Sequence, residues 1–446
     1  MRWGTFINRF MGVCALALSL IIGSNVMAQP QIQQIKTPKG ITVWLVESHQ
    51  IPIISLEVDF RAGSAYDPKG HEGLANFTAT LLDEGSGNMD ANAFKEALDD
   101  IGARLGANAD TTDLNITLNT LTENRAAAFK LLGQSLQSPR FDDEAVVRMR
   151  TSILSGLKRA EEDPGTVASR AYYKKTFGTH PYAHPVQGTP ASVAKFNGQL
   201  AREFWAKNVN RANMVVSVVG DITAAEVEKL VDESLGNLPA GTVKNPDFKA
   251  PAKPVAASVT HIQKDVPQAS VIMGHFGLPR SHPDFWNMLV ANELLGGGVL
   301  TSRLYKSVRE EHGLAYSVRS GNYPLPGAGD WQVSVETGNA TTQQAIALIR
   351  KEIERMRTTE VDAKEFNDVI DYLVGSFPLR TDTNRKILGY LSMMQMENLG
   401  PDYMTNWVER VKAVKPADIQ RVAKEYFHPD AMALVIVGDG PALKAK

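Results

Sequence analysis

The chain has a single cysteine, Cys14, in 446 residues. One thiol excludes an internal disulfide framework and a multi-thiolate metal site. Charge of one sign is also missing. The 47 Lys and Arg nearly balance the 49 Asp and Glu, leaving a formal net charge of -2, so no broad field invites nucleic acid or an anionic surface. Two catalytic signatures are absent as well. No Ser stands in a Gly-x-Ser-x-Gly elbow, and no Gly-Lys-Ser/Thr follows the glycines at 296–298, which read as a tight turn rather than a phosphate cradle.

Long apolar runs are scarce. The run MGVCALALSLIIG follows Arg2 and Arg9 and gives way to small residues ending at Ala28. That pattern predicts a secretory signal peptide over 1–28, with an uncleaved anchor as the alternative. The run is short for a membrane span, so no stable membrane insertion is expected. Cys14 lies early in the run, away from the place of a lipid-bearing cysteine. The expected compartment is the bacterial periplasm. There a cysteine-free mature chain must rely on a large core, which this length allows.

What is present is a folded composition, 43% hydrophobic and 22% charged, in two halves that echo each other. NMVVSVVGD at 213–221 matches AMALVIVGD at 431–439. DLNITLNTLTENRAAAFKLLGQSL at 113–136 matches DWQVSVETGNATTQQAIALIRKEI at 330–353. Each echo pairs a strand pattern with a helix pattern. Between them lies a proline-rich, aperiodic stretch. The fold class predicted is α+β: two duplicated domains, at 29–240 and 258–446, each a mostly antiparallel sheet covered by helices, joined by an extended linker at 241–257.

In the second half, GGGVLTSRLYKSVREEHGLAYSV at 296–318 predicts a helix from Thr301 to His312, a C-cap at Gly313 and a strand from Ala315. Arg309 and Tyr316, seven residues apart, flank that junction. A guanidinium fork and a phenol there can both donate to a carbonyl, although a surface Arg and a packed Tyr would fit the bare spacing as well. His180 and His184 have a ligand-like separation, but Pro181 and Pro185 break any helix that would align them. No carboxylate stands with these two or with His71 at ligand spacing, so a relocated metal site is disfavoured. The acidic run at 161–163 reads as a solvated helix end, and Met393, Met394 and Met396 as helix packing.

GLANFTATLLDEGS at 73–86 begins a helix with Leu74, Phe77 and Leu81 on an apolar face. Together with RAGSAYDPKGHEG before it, EEDP, FGTHPYAHPVQGTPAS and the long second-half block, it resembles the pitrilysin/insulinase family of zinc peptidases, those with an inverted His-x-x-Glu-His motif. The resemblance spans nearly the whole mature chain, and it places the family's His, Glu and His at Asn76, Ala79 and Thr80. The family's distal Glu ligand falls near Gly156, in RMRTSILSGL, a segment without any acid. Asn and Thr offer neutral oxygens, and Ala and Gly offer no side-chain donor, so no tight zinc is expected in this chain.

The resemblance also implies a role for what is kept. Arg309 and Tyr316 match the pair with which the family holds the substrate carbonyl. In two-chain members, planned like the mitochondrial processing peptidase, a degenerate chain carries this pair and its partner carries the zinc. The expected function is that of a non-catalytic, substrate-binding subunit of a periplasmic heterodimeric zinc metalloendopeptidase. It would be inactive alone, with an unfolded peptide as substrate. The alternative is a stand-alone peptide-binding or chaperone-like clamp without hydrolysis.

Overall fold

The computed structural model describes residues 31–242, 248, 256–298 and 300–440. The signal-peptide reading of 1–28 and most of the linker reading of 241–257 lie outside the described residues.

The first half builds a six-stranded sheet. Its strands are β1 (Gln33–Lys36), β2 (Thr42–Glu47), β3 (Ile53–Phe60), β6 (Arg104–Ala109), β7 (Leu114–Leu121) and β8 (Met214–Gly220), in the order β1-β2-β8-β3-β7-β6. A short hairpin of β4 (Gly85–Ser86) and β5 (Met89–Asp90) stands apart. The second half builds a five-stranded sheet from β9 (Ser258–Gln263), β10 (Gln268–Phe276), β11 (Ala315–Leu325), β12 (Ala328–Gly338) and β13 (Ala433–Gly438), in the order β11-β12-β10-β13-β9. Each sheet has one parallel pair, β2 with β8 and β9 with β13, and is otherwise antiparallel. The ladder is the same in both, with β1 as an addition to the first. This is the duplicated α+β architecture that the sequence echoes predict.

Alternation assigns the faces. In β3, Ile54, Leu56, Val58 and Phe60 are fully buried in the first core. Fully burying an aliphatic or Phe side chain stabilises by ~1.5–3 kcal/mol each. The opposite face of β3 carries Ser55, Glu57 and Asp59, so this strand is enclosed on both sides and its second face is polar.

What covers the second faces comes from the other half. The Asn384–Met396 helix lies on β3 and β8, and the Pro164–Phe177 helix lies on β10 and β13. Gln395 Nε2 donates to Ser217 Oγ at 2.8 Å and to Val216 O at 3.1 Å, and Arg61 Nη2 donates to Met396 O at 3.0 Å. In the reciprocal contact Ala168 and Tyr172 join Ile272, Ala433, Val435 and Val437 in one small core. The exchange interlocks the two halves. The acidic run differs from its reading as a helix end only. Asp163 accepts from Thr166 N at 2.6 Å and caps the next helix, with Pro164 in its first turn.

Candidate functional site

The helix that carries the degenerate positions is short, Leu74–Ala79. Gly73 precedes it with φ of 95°, and a Cβ there would stand 2.6 Å from the Gly188 backbone, so only glycine fits. Asp67 anchors the helix start by accepting from Gly73 N at 2.6 Å and Ala75 N at 2.8 Å. Burial pushes the Asp67 carboxyl up to about 7. Leu74, Phe77 and Leu81 are buried, as their spacing predicts.

Asn76 and Thr80 are half-buried and Ala79 is buried. Thr80 Oγ1 donates to Phe77 O at 2.8 Å, so it is committed to the backbone. The Asp143–Ala160 helix, which carries Gly156, packs against this short helix. A Cβ at Gly156 would meet nothing nearer than Arg159 Nη2 at 4.0 Å. An acid does stand close in the chain, and sequence reasoning passed over it. Glu84 is 4% exposed and is held by Lys95 Nζ at 2.8 Å and by Arg148. Its charge is thereby balanced by two cations, one of them from the helix of Gly156. Asn76, Ala79, Thr80 and Gly156 do not fit zinc, which takes imidazole, carboxylate or thiolate ligands. Among the described residues no cluster of three or more His, Cys, Asp or Glu side chains is placed to hold a metal ion.

In the loop at 178–185, His180 serves structure. His180 Nδ1 accepts from Tyr182 N at 3.2 Å, and its ring lies 4.6 Å from the Tyr182 ring. Tyr182 OH reaches Pro326 O in the second half at 2.7 Å.

The structure brings Arg309 and Tyr316 together. The Arg309 guanidinium carbon lies 4.5 Å from the Tyr316 ring centroid and 4.8 Å from that of Tyr305. The fork is thus flanked by two aromatic rings, an arrangement that favours a cation. Tyr305 is buried, whereas Tyr316 is 79% exposed. Sequence reasoning missed Tyr305; its i, i+4 relation to Arg309 was the available signal.

Local structure accounts for the presentation. The predicted helix forms as π-type turns over Tyr305–Glu311, a wider winding often found at functional sites. Gly313, with φ of 62°, ends it, donating to Arg309 O at 3.0 Å. His312 Nδ1–H donates to Ser307 O at 2.7 Å, which fixes the last turn. The β11–β12 register slips between Ala315 and Ser317, so Tyr316 is the extra residue of a bulge and points away from the ladder. Strand β11 is also the outer strand of its sheet, as β6 is in the other.

Comparison with known proteins gives a consistent picture. Residues 42–190 match the family described as insulinase (peptidase family M16), and residues 195–373 match the peptidase M16 inactive domain. The chain is 28% identical over 381 residues to a protein of Helicobacter pylori named non-peptidase homolog YmxG, covering 84% of this chain and 86% of that one. It is 23% identical over 426 residues to the mitochondrial-processing peptidase subunit beta of Blastocladiella emersonii, covering 92% and 89%. A solved structure of a peptidase M16 inactive domain from Pseudomonas fluorescens aligns with a TM-score of 0.87 at 27% identity, covering 93% of this chain and 100% of that one.

Proposed function

We propose a non-catalytic, substrate-holding role for this chain, which belongs to the insulinase family, peptidase family M16. It pairs with a zinc-bearing chain of the same family and lends Arg309 and Tyr316 to the shared active site. The observation that carries this reading is the asymmetry of the two sites. The positions of the zinc helix hold no fitting donors, yet the arginine fork is intact, stacked, and placed beside an exposed phenol at the start of an outer strand.

The chemistry then divides. The partner supplies the zinc-activated water and the general base. Arg309 and the Tyr316 hydroxyl donate to the scissile carbonyl oxygen and hold it more strongly as its negative charge grows. Preorganisation by the Tyr305 ring keeps the guanidinium in place before substrate arrives. An unfolded peptide adds as a strand to the open edge of β11, gaining affinity from its backbone with little demand on sequence. A relative named as a processing-peptidase subunit supports a paired assembly. The basic start and apolar run before Ala28 support export to the periplasm.

A second reading is a stand-alone peptide-holding clamp. The missing donors favour it equally, as do the outer strands β6 and β11. Affinity capture of the tagged chain from its native cell envelope, with mass spectrometry, separates the two. Near-stoichiometric recovery of a chain bearing His-x-x-Glu-His is the expected result. Recovery of this chain alone, or only with itself, would rule out the pairing and leave the clamp.

A further inference from the structure

The two sheets have the same ladder but not the same filling on the face that each receives from the other half. Gly220 ends β8 as Gly438 ends β13, and Ser55 opposes Val219 as Ser270 opposes Val437. Glu57, Asp59 and Arg61 therefore correspond to Ile272, Gly274 and Phe276, and Asp113 to Asp330. In the second half this face is sealed. Tyr172 OH donates to Asp330 Oδ1 at 2.6 Å, and a Cβ on Gly274 would strike that hydroxyl at 2.5 Å.

In the first half the same face opens into a cleft of about 990 Å³. The covering helix presents Gly389 there, whose missing Cβ would meet no atom within 4 Å. This volume is that of a small-molecule or side-chain pocket rather than a packing defect. Tyr66, Phe248 and Leu325 give it an apolar side, and Met393 lines it from the covering helix. The floor is acidic. Asn115 Nδ2 donates to Glu57 Oε1 at 2.6 Å and to Asp59 Oδ1 at 2.7 Å, holding two carboxyls side by side.

Acidic and basic groups along the cleft are unequal in number. Among the described residues five carboxyls line it, from Glu57, Asp59, Asp110, Asp113 and Glu397, against three guanidinium groups, from Arg61, Arg280 and Arg385. Arg280 is spent on Glu397, at 3.0 and 3.1 Å, and Arg61 donates to main-chain carbonyls. Among the described residues that line the cleft, Arg385 is the cation left opposite the four carboxyls of the strands and their hairpin. An apolar side leading to a carboxyl-lined floor suits a group with an aliphatic stem and a cationic head, whose charge favours the ionised form of the buried carboxyls it meets.

We propose that this cleft between the halves binds an alkyl-ammonium or guanidinium cation, presented as a lysine or arginine side chain of a peptide or as a free polyamine. The site is separate from the Arg309–Tyr316 pair and does not depend on the pairing of chains.

Isothermal titration of the full chain tests it with three probes: a short unstructured peptide with one lysine, its norleucine analogue, and spermidine. Norleucine keeps the stem and removes the charge. The lysine peptide is expected to bind at least about tenfold more tightly than the norleucine peptide, the scale of one charge-assisted contact. Glu57→Gln is expected to remove that difference. Gly389→Phe, which fills the cleft from the helix side, is expected to block every cationic probe while melting at the wild-type temperature. Spermidine binding that exceeds the lysine peptide's identifies the free amine as the source; the reverse identifies the peptide. Equal affinity for lysine and norleucine peptides together with no spermidine binding, or unchanged lysine and spermidine binding in a folded Gly389→Phe protein, overturns the proposal.

Discussion

Ser392 Oγ donates to Asp59 Oδ2 at 2.6 Å, joining a helix of the second half to the first sheet. Asp59 is 2% exposed, and burial, with the neighbouring Glu57 charge second, pushes its carboxyl up to about 8.

A pH dependence of stability follows from this contact. An aspartate in the unfolded chain ionises near pH ~3.9. Between about pH 4 and pH 8 the folded protein therefore holds a proton on Asp59 that the unfolded chain has lost. Stability from this group falls as pH rises through that window. His275 acts oppositely at the lower end. Burial lowers its imidazole to about 4, so its contribution is lost as pH falls below ~6.5. Comparing wild type with Asp59→Asn isolates the aspartate. Thermal melts from pH 5 to 8.5 are expected to show a decline in wild type that is shallower in the variant, where the buried Asp67 and Asp330, each raised to about 7, still contribute. Parallel curves would remove Asp59 from the account.

The reciprocal clasp gives a second expectation. Asp330 is fully buried, and the hydroxyls of Tyr172 and Tyr173 are its donors, at 2.6 and 3.3 Å. Tyr172→Phe keeps the ring and removes the closer donor. Leaving a buried acceptor short of a partner costs ~1–3 kcal/mol. Urea denaturation should give an unchanged slope and a midpoint lowered by that free energy divided by the slope.

The strands and their grouping were legible because alternation and the repeated Gly-Asp endings are local signals. NMVVSVVGD and AMALVIVGD give β8 and β13 almost to the residue. Arg309 and Tyr316 were legible through a long motif. Their stacking on Tyr305 was not, because the motif gives spacing while the π-type winding and the bulge at Tyr316 set direction. The helix exchange was invisible for a different reason. Pro164–Phe177 and Asn384–Met396 have little one-sided apolar patterning, so their sequences do not say which face is buried or against what. The acids of β3 likewise look like a solvated strand face in sequence; only the helix laid over them makes them interior.

The degenerate site predicts a gain of function. The wild-type chain should purify with less than stoichiometric zinc. Asn76→His, Thr80→His and Gly156→Glu together supply two imidazoles and a carboxylate on two helices that pack against each other. The open space at Gly156 admits the longer side chain. Metal analysis of this triple variant is expected to show stoichiometric zinc, with two of the three changes falling short. Failure of the triple variant would mean that the helices no longer present these positions to one point.

The proposed role of Arg309 and Tyr316 predicts graded losses, measured on the chain assembled with a zinc-bearing chain of the same family. On that proposal Arg309→Ala removes an oxyanion donor, for which ~10²–10³ in rate is typical, while assembly stays intact. Arg309→Lys keeps the charge but loses the planar fork, so it should recover little. Tyr305→Leu is the discriminating change. Its ring lies 4.8 Å from the guanidinium carbon and is buried, so it acts on the arginine rather than on the peptide. A cation–π contact of ~0.5–1 kcal/mol corresponds to about a two- to fivefold loss. Tyr305→Phe, which preserves the ring face, should restore the rate. A merely structural Tyr305 would lower stability in both variants without this split, and an Arg309→Ala rate equal to wild type would take the pair out of the active site altogether.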